Sequence, residues 1–243
     1  MIIEFYEEFP NEENLKKLKQ INFPTKIFIA AKSLKDFQKY EKLAKSYKKD
    51  LEVAYWPIVK NSYWISPFAN NKDLMELFSE LNKIKNPLLI DLELPLRVRW
   101  KMYFKNLFSF RENKKLIKQF LEQNKKRVTS AEYSLAFVSE VMKFLGLNYN
   151  INYERGVMWY SSMKSKGMNK KIKINLSKIK NKSNHSISLG TIAIGILGNE
   201  PILSPKQLGK DLEFVKEQGF EKVVIFRLEG LDKKYLEVIK KFI

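Results

Sequence analysis

Short apolar runs recur along this 243-residue chain, and between each run and the next lies a stretch with apolar residues at helical spacing. The runs are Ile2–Tyr6, Lys26–Ala31, Leu51–Trp56, Leu88–Ile90, Val128–Glu132, Tyr149–Tyr153, Ser186–Ile196 and Lys222–Arg227. They read as strands, each followed by a helical segment. Such alternation specifies a mostly parallel sheet, because parallel neighbours need a crossover that a helix supplies. Eight units in 243 residues fit an α/β fold of the closed (β/α)8, TIM-type barrel class, typically ~250 residues long. We read 1–243 as a single barrel domain. An open doubly wound sheet is the runner-up. It is disfavoured because Glu7-Glu8-Phe9-Pro10 stands where a glycine-rich phosphate turn would follow the first strand.

Local signals agree with this reading. Ser33 precedes Leu34, Phe37, Tyr40, Leu43 and Tyr47 as an N-cap would, and Ser204-Pro205 opens a helix that closes at Gly219. The segment from Leu96 to Lys126 reads as long and helical. Glu154 to Tyr160 lies after or within the sixth strand. Lys164 to Lys182 is rich in lysine and holds no acid, so it reads as a helix or a basic loop.

Composition narrows the chemistry. The chain has no cysteine and one histidine, His185, which excludes disulfides, thiolate metal sites and histidine-rich zinc sites. Catalysis must then use carboxylates, Tyr, Lys, Arg or Ser/Thr, and no cofactor is expected. The net charge of +18 invites a nucleic-acid partner. Only six of the 45 basic residues are arginine, however, and most lysines fall on outer helix faces. A solvated basic coat is the preferred reading over nucleic-acid binding. The acidic start and the lack of a long apolar run suggest a cytoplasmic protein with no membrane partner.

In a (β/α)8 barrel, chemistry gathers at the C-terminal ends of the strands. The fourth run acquires two carboxylates two residues apart, Asp91 and Glu93, before stopping at Pro95. Side chains alternate along a strand, so these two share a face. Two like charges on a buried strand raise each other's cost, which favours a site and a retained proton. Glu93, nearer the mouth, is the candidate general acid, and Asp91 the orienting group. Glu132 ends the fifth run and Tyr160 follows the sixth; both join the catalytic candidates. Glu7, Glu154, Glu200 and Arg227 stand at other expected strand ends as substrate-binding candidates. Trp56 and the aromatic loop carrying Tyr63 and Trp64, with Trp159, suggest flat faces on which a sugar ring could stack. Trp100, at helical spacing from Phe104 and Leu107, reads instead as packing. The expected partner is a carbohydrate or other small polar molecule.

The stretch Ile90-Asp91-Leu92-Glu93-Leu94-Pro95 resembles the fourth-strand signature of chitinase-like glycoside hydrolases, whose motif closes with Asp-x-Glu. Met158-Trp159-Tyr160 is similar to that family's sixth-strand Met-x-Tyr. The resemblance implies a barrel, with Glu93 as general acid, Asp91 orienting the substrate's acetamido group as internal nucleophile, and Tyr160 holding its carbonyl. The chain departs from the family where it has Asn86, Pro87 and Leu89 in place of acids and glycines. It departs again at Ser161, where an acid is usual. These departures touch the acetamido mechanism more than the sugar cleft. Two alternatives stand beside it. One is a divalent-metal isomerase or lyase with Asp91, Glu93, Glu132 and Glu154 as oxygen ligands. The other is a non-enzymatic protein binding RNA or DNA through Lys164 to Lys182.

Overall fold

A computed structural model describes residues 1–94, 108–133 and 139–243. Its strands are β1 (Ile2–Glu7), β2 (Lys26–Ala31), β3 (Glu52–Pro57), β4 (Leu88–Asp91), β5 (Val128–Tyr133), β6 (Glu154–Met158), β7 (His185–Gly190) and β8 (Lys222–Phe226). They pair in parallel in sequence order, and β8 returns to β1 with Ile2 opposite Lys222 and Tyr6 opposite Phe226. The barrel is closed, as the alternation predicts.

The described helices are α1 (Glu12–Lys16), α2 (Leu34–Tyr47), α3 (Asn71–Leu81), α4 (Phe110–Asn124), α5 (Ser139–Phe144), α6 (Lys166–Ser177), α7 (Pro205–Glu217) and α8 (Lys233–Ile239). Six of them begin where a short polar side chain accepts an N–H three residues on: Asn11, Ser33, Asn70, Ser165, Ser204 and Asp232. Each such cap contributes about 1 kcal/mol by satisfying a donor that the helix leaves free.

Strand alternation divides the apolar residues into two clusters. Ile3, Phe5, Ile27, Ile29, Val53, Val128 and Val223 face outward and pack under the helices. Phe37 of α2 stacks on Tyr55 at 4.5 Å, and Phe78 of α3 stacks on Phe120 of α4 at 4.2 Å. Tyr6, Phe28, Ala54, Leu89, Val224 and Phe226 fill the lumen. The barrel is therefore solid below its mouth, as small parallel barrels must be.

Several boundaries differ from the sequence reading. The sixth strand begins at Glu154; Tyr149 and Tyr153 belong to the outer core instead. The seventh stops at Gly190, whose φ of +132° only glycine adopts easily, and any Cβ there would lie 2.3 Å from the Phe226 carbonyl oxygen. Of the segment Leu96 to Lys126, the part from 108 is described and holds α4; Trp100 lies outside the described residues. The lysine-rich segment forms α6, capped by Ser165. Among the described residues, no helix is long and apolar enough to cross a membrane.

Candidate active site

The mouth of the barrel opens onto a cavity of about 200 Å³. Which residues reach it follows from pleat parity. On β1, Tyr6 and then Glu8 point into the lumen; on β3, Trp56; on β4, Asp91 and then Glu93. β5 contributes Ala131 and Tyr133, β6 contributes Met158 and then Tyr160, and β8 ends in Phe226.

Asp91 is the last residue of β4 and is buried, and its Oδ1 has no hydrogen-bond partner. Glu93 is half-buried and accepts a hydrogen bond of 2.7 Å from the Tyr133 hydroxyl. The two carboxyls lie close enough to share a proton. Burial pushes Asp91 well above the usual carboxylate range, and the neighbouring Glu93 charge adds to this. Burial raises Glu93 as well, but hydrogen bonds from Tyr133 and Asp91 and the charge of Lys164 oppose the rise. The shared proton therefore rests on Asp91, with Glu93 accepting. The spacing of the pair predicts one retained proton; Tyr133 and Lys164 favour the charged form of Glu93, which leaves that proton with Asp91 in the free site.

The aromatic loop after β3 folds back over this pair. Val59 and Tyr63 form an antiparallel bridge, and the Ile65 N–H donates to the Asp91 carbonyl at 3.0 Å. Trp64 is thereby laid into the cavity wall. It is only 4% exposed, so it is a packed wall residue and not the exposed platform its loop position suggested. Trp64→Ala should then cost about 3–5 kcal/mol of stability, as for other core aromatic truncations. Tyr63 does not line the cavity; its hydroxyl donates to Glu8. The buried Trp56 indole N–H opposes the rise of Asp91, and the ring packs 5.7 Å from Tyr6. Tyr160 packs against Phe226 at 5.4 Å. Burial holds its hydroxyl well above the ordinary phenol range, so it stays protonated as a donor.

Glu8 and Glu200 face the cavity from another side. Burial pushes Glu8 up to about 7; hydrogen bonds from Tyr63 and the Ile196 N–H and the charge of Arg227 oppose the rise, and the Glu200 charge reinforces it. Glu200 accepts from the Leu197 N–H at 2.9 Å. The remaining oxygens, Glu8 Oε2 and Glu200 Oε2, are buried without partners.

The other sequence candidates lie elsewhere, for one of two physical reasons: they carry the wrong parity or the wrong height. Glu7 points outward, accepting from Arg227 Nη1 at 2.8 Å and from the N–H groups of Phe9 and Glu229. Arg227 also points outward; it donates to the Ile194 carbonyl at 3.0 and 2.7 Å and so anchors the loop that carries Glu200. Glu132 lies behind β5, bound by Arg155 at 2.8 Å, Ser130 at 2.6 Å and Tyr153 at 3.0 Å. Trp159 is fully buried under the helices, donating to Asn169 at 2.9 Å and packing edge-on against Phe214. Glu154 starts its strand, so it sits at the far end of the lumen, paired with Lys222. The four carboxylates considered as metal ligands are thus split among three places. Among the described residues, no group of three His, Cys, Asp or Glu could hold a metal ion.

The fold has solved counterparts. The 3-keto-D-glucoside 4-epimerase YcjR from E. coli aligns over 100% of this chain and 98% of its own, with TM-score 0.54 and 14% identity. A class V chitinase from Pseudomonas fluorescens Pf-5 aligns over 99% of both chains, with TM-score 0.56 and 9% identity. At such identities the likeness is one of fold. No protein-family model matches the sequence, and no curated protein matches it.

Tyr6 and Glu8 stand with Glu7 at the end of the first strand in the sequence, though only Glu7 was a binding candidate; Tyr133 and Lys164 are further cavity residues with no place among the candidates. Glu8 and Tyr6 had a signal available: they alternate along the first strand, as Asp91 and Glu93 do along the fourth. Tyr133 and Lys164 had none, since each follows an element whose end the sequence does not mark.

Proposed function

We propose that the chain is a carbohydrate-active barrel, a glycoside hydrolase with a carboxylate general acid at the C-terminal end of β4. The observation that carries this is the buried Asp91–Glu93 pair, which keeps a proton beside an aromatic-walled cavity. A general acid needs a proton held near neutral pH and released toward a leaving oxygen. Glu93 has the longer reach and lies nearer the mouth, so it meets the substrate; the proton resting on Asp91, one pleat deeper, passes to Glu93 as Glu93 protonates the leaving oxygen, and both carboxylates are then charged until the next proton enters. Tyr133 fixes the Glu93 carboxyl through its 2.7 Å bond.

The closeness of the pair limits how roles are shared. Retaining hydrolases separate acid and nucleophile by about 5–5.5 Å, and inverting ones separate acid and base by about 6.5–9.5 Å. Two carboxyls that share a proton are nearer than either, so Asp91 and Glu93 form one acid unit and the nucleophile is a separate group.

The cavity also limits the substrate. At about 200 Å³ it is below the roughly 300–1,000 Å³ of pockets for drug-sized ligands, and it suits one sugar ring. Trp56, Trp64 and Phe226 supply apolar faces for that ring. That barrels of similar fold include a chitinase and a keto-glucoside epimerase supports a sugar substrate. The deciding experiment compares wild type with Glu93→Gln on aryl glycosides and chito-oligosaccharides. Equal rates for the two proteins would remove Glu93 from the chemistry.

A further inference from the structure

The described cavity lining is acidic in a basic protein. The chain carries a formal charge of +18, yet Glu8, Asp91, Glu93 and Glu200 line the cavity against one described amine, Lys164. Lys164 acts on Glu93. Glu8 and Glu200 form no ion pair among the described residues. Arg227, whose charge reaches Glu8, spends its donors on Glu7, Glu229 and the Ile194 carbonyl.

These two carboxylates are built to stand together. Both abut Gly195: a Cβ there would lie 2.8 Å from Glu200 Oε1 and 3.0 Å from Glu8 Oε2. Glu8 is held by Tyr63 and the Ile196 N–H, and Glu200 by the Leu197 N–H. Each keeps one oxygen buried and unpartnered, on side chains 6% and 7% exposed. A buried acceptor without a donor is costly, and two adjacent like charges compound the cost. A sugar hydroxyl offers one donor and no charge. A protonated amine offers a positive charge and three donors, and so answers both deficits at once.

We infer that the Glu8–Glu200 wall binds a protonated amine, and that the ring entering the cavity is an unacetylated amino sugar. The identification of the ring rests on the sugar-site reading above; the amine subsite is tested by binding alone, without turnover. In the free protein burial, reinforced by the Glu200 charge, keeps a proton on Glu8 near neutral pH, which the incoming amine displaces.

The test is calorimetric titration at pH 7 of wild type, Glu8→Gln/Glu200→Gln and Gly195→Ala with D-glucosamine, D-glucose and N-acetyl-D-glucosamine. Wild type should bind glucosamine at least about tenfold tighter than the other two, or about 1.4 kcal/mol. The double variant should lose that preference, so that glucosamine and glucose bind it alike. Gly195→Ala, which drives a methyl between the carboxylates, should lose it too, and it serves if the double variant does not fold. Equal binding of glucosamine and glucose by wild type, a preference for the N-acetyl sugar, or a glucosamine preference that survives both changes would overturn the inference. The hydrolase reading fails separately, through an unchanged rate for Glu93→Gln.

Discussion

The two ends of the barrel lumen hold the same kind of side chain in opposite circumstances. At the closed end Glu4 meets Lys26 at 3.0 Å, and Glu154 meets Lys222. Burial still lifts Glu4 above its ordinary value, with Lys26 opposing it. At the open end Asp91, Glu8 and Glu200 form no ion pair among the described residues, whereas buried oxygens without a hydrogen-bond partner occur at both ends, on Glu4 and Glu154 as well as on Asp91, Glu8 and Glu200. The contrast separates roles. A buried carboxylate paired with lysine plugs the barrel; one buried without a cation of its own is available for chemistry or a ligand.

The largest test of that contrast is kinetic. Glu93→Gln should lower hydrolysis by roughly 10²–10⁴-fold, the usual contribution of general acid–base catalysis, while Glu154→Gln should leave the rate within about twofold of wild type. Steady-state rates on the same glycoside decide it, and a large loss for Glu154→Gln would erase the distinction between the ends.

Stability should show the reverse pattern. Lys26→Met strands the Glu4 carboxylate in the lumen and should cost about 3–5 kcal/mol, the range for breaking a buried pair. Glu200→Gln removes one of two adjacent like charges and should be neutral or stabilising. Urea unfolding of the two variants makes the comparison, and equal losses would show that the mouth is also held by its charges.

A third test uses pH. Glu8 titrates at about 7 in the folded chain against 4.5 ordinarily, so the folded state binds the extra proton between those values. Stability is then greatest below about pH 4.5 as far as this group is concerned, and falls as pH rises through 7. Asp91, also raised, acts in the same direction. Glu8→Gln should flatten the decline between pH 5 and pH 8 by up to roughly 3 kcal/mol. An unaltered pH profile would mean that the mouth is as well compensated as the closed end.

The smallest effect is expected outside the lumen. Lys166, Lys170, Lys178 and Lys180 are exposed on and after α6. Replacing all four by Gln should change stability by less than about 1 kcal/mol and leave hydrolysis unaltered, as for substitutions away from buried contacts. Loss of co-purifying nucleic acid in that variant would make the basic coat a binding surface and shift the chain's function away from the lumen.

The barrel was legible because its signals are local. Ser33, Ser204-Pro205 and Gly219 mark helix ends within one turn, and eight apolar runs separated by helical spacing admit few other arrangements. The Asp91–Glu93 pair was legible for the same reason: two residues on one strand share a face whatever surrounds them. Glu132, Glu7, Arg227 and Trp159 were misplaced because a strand end can be found from composition, whereas its inward parity cannot. For Glu154 the error was one of height. The run Tyr149–Tyr153 has the composition of a strand, yet it packs in the outer core, and pairing with β5 starts only at Glu154.

The sequence by itself therefore determined the eight-unit barrel, the caps that time its helices and the acidic pair on its fourth strand. Tertiary structure alone decided which carboxylates meet. Glu8 and Glu200 stand at opposite ends of the chain, and only closure of β8 onto β1, with Arg227 anchoring the loop at Ile194, brings them to the same glycine. Side-chain alternation is a property of neighbouring residues, but the direction in which a closed sheet turns its faces depends on every strand at once.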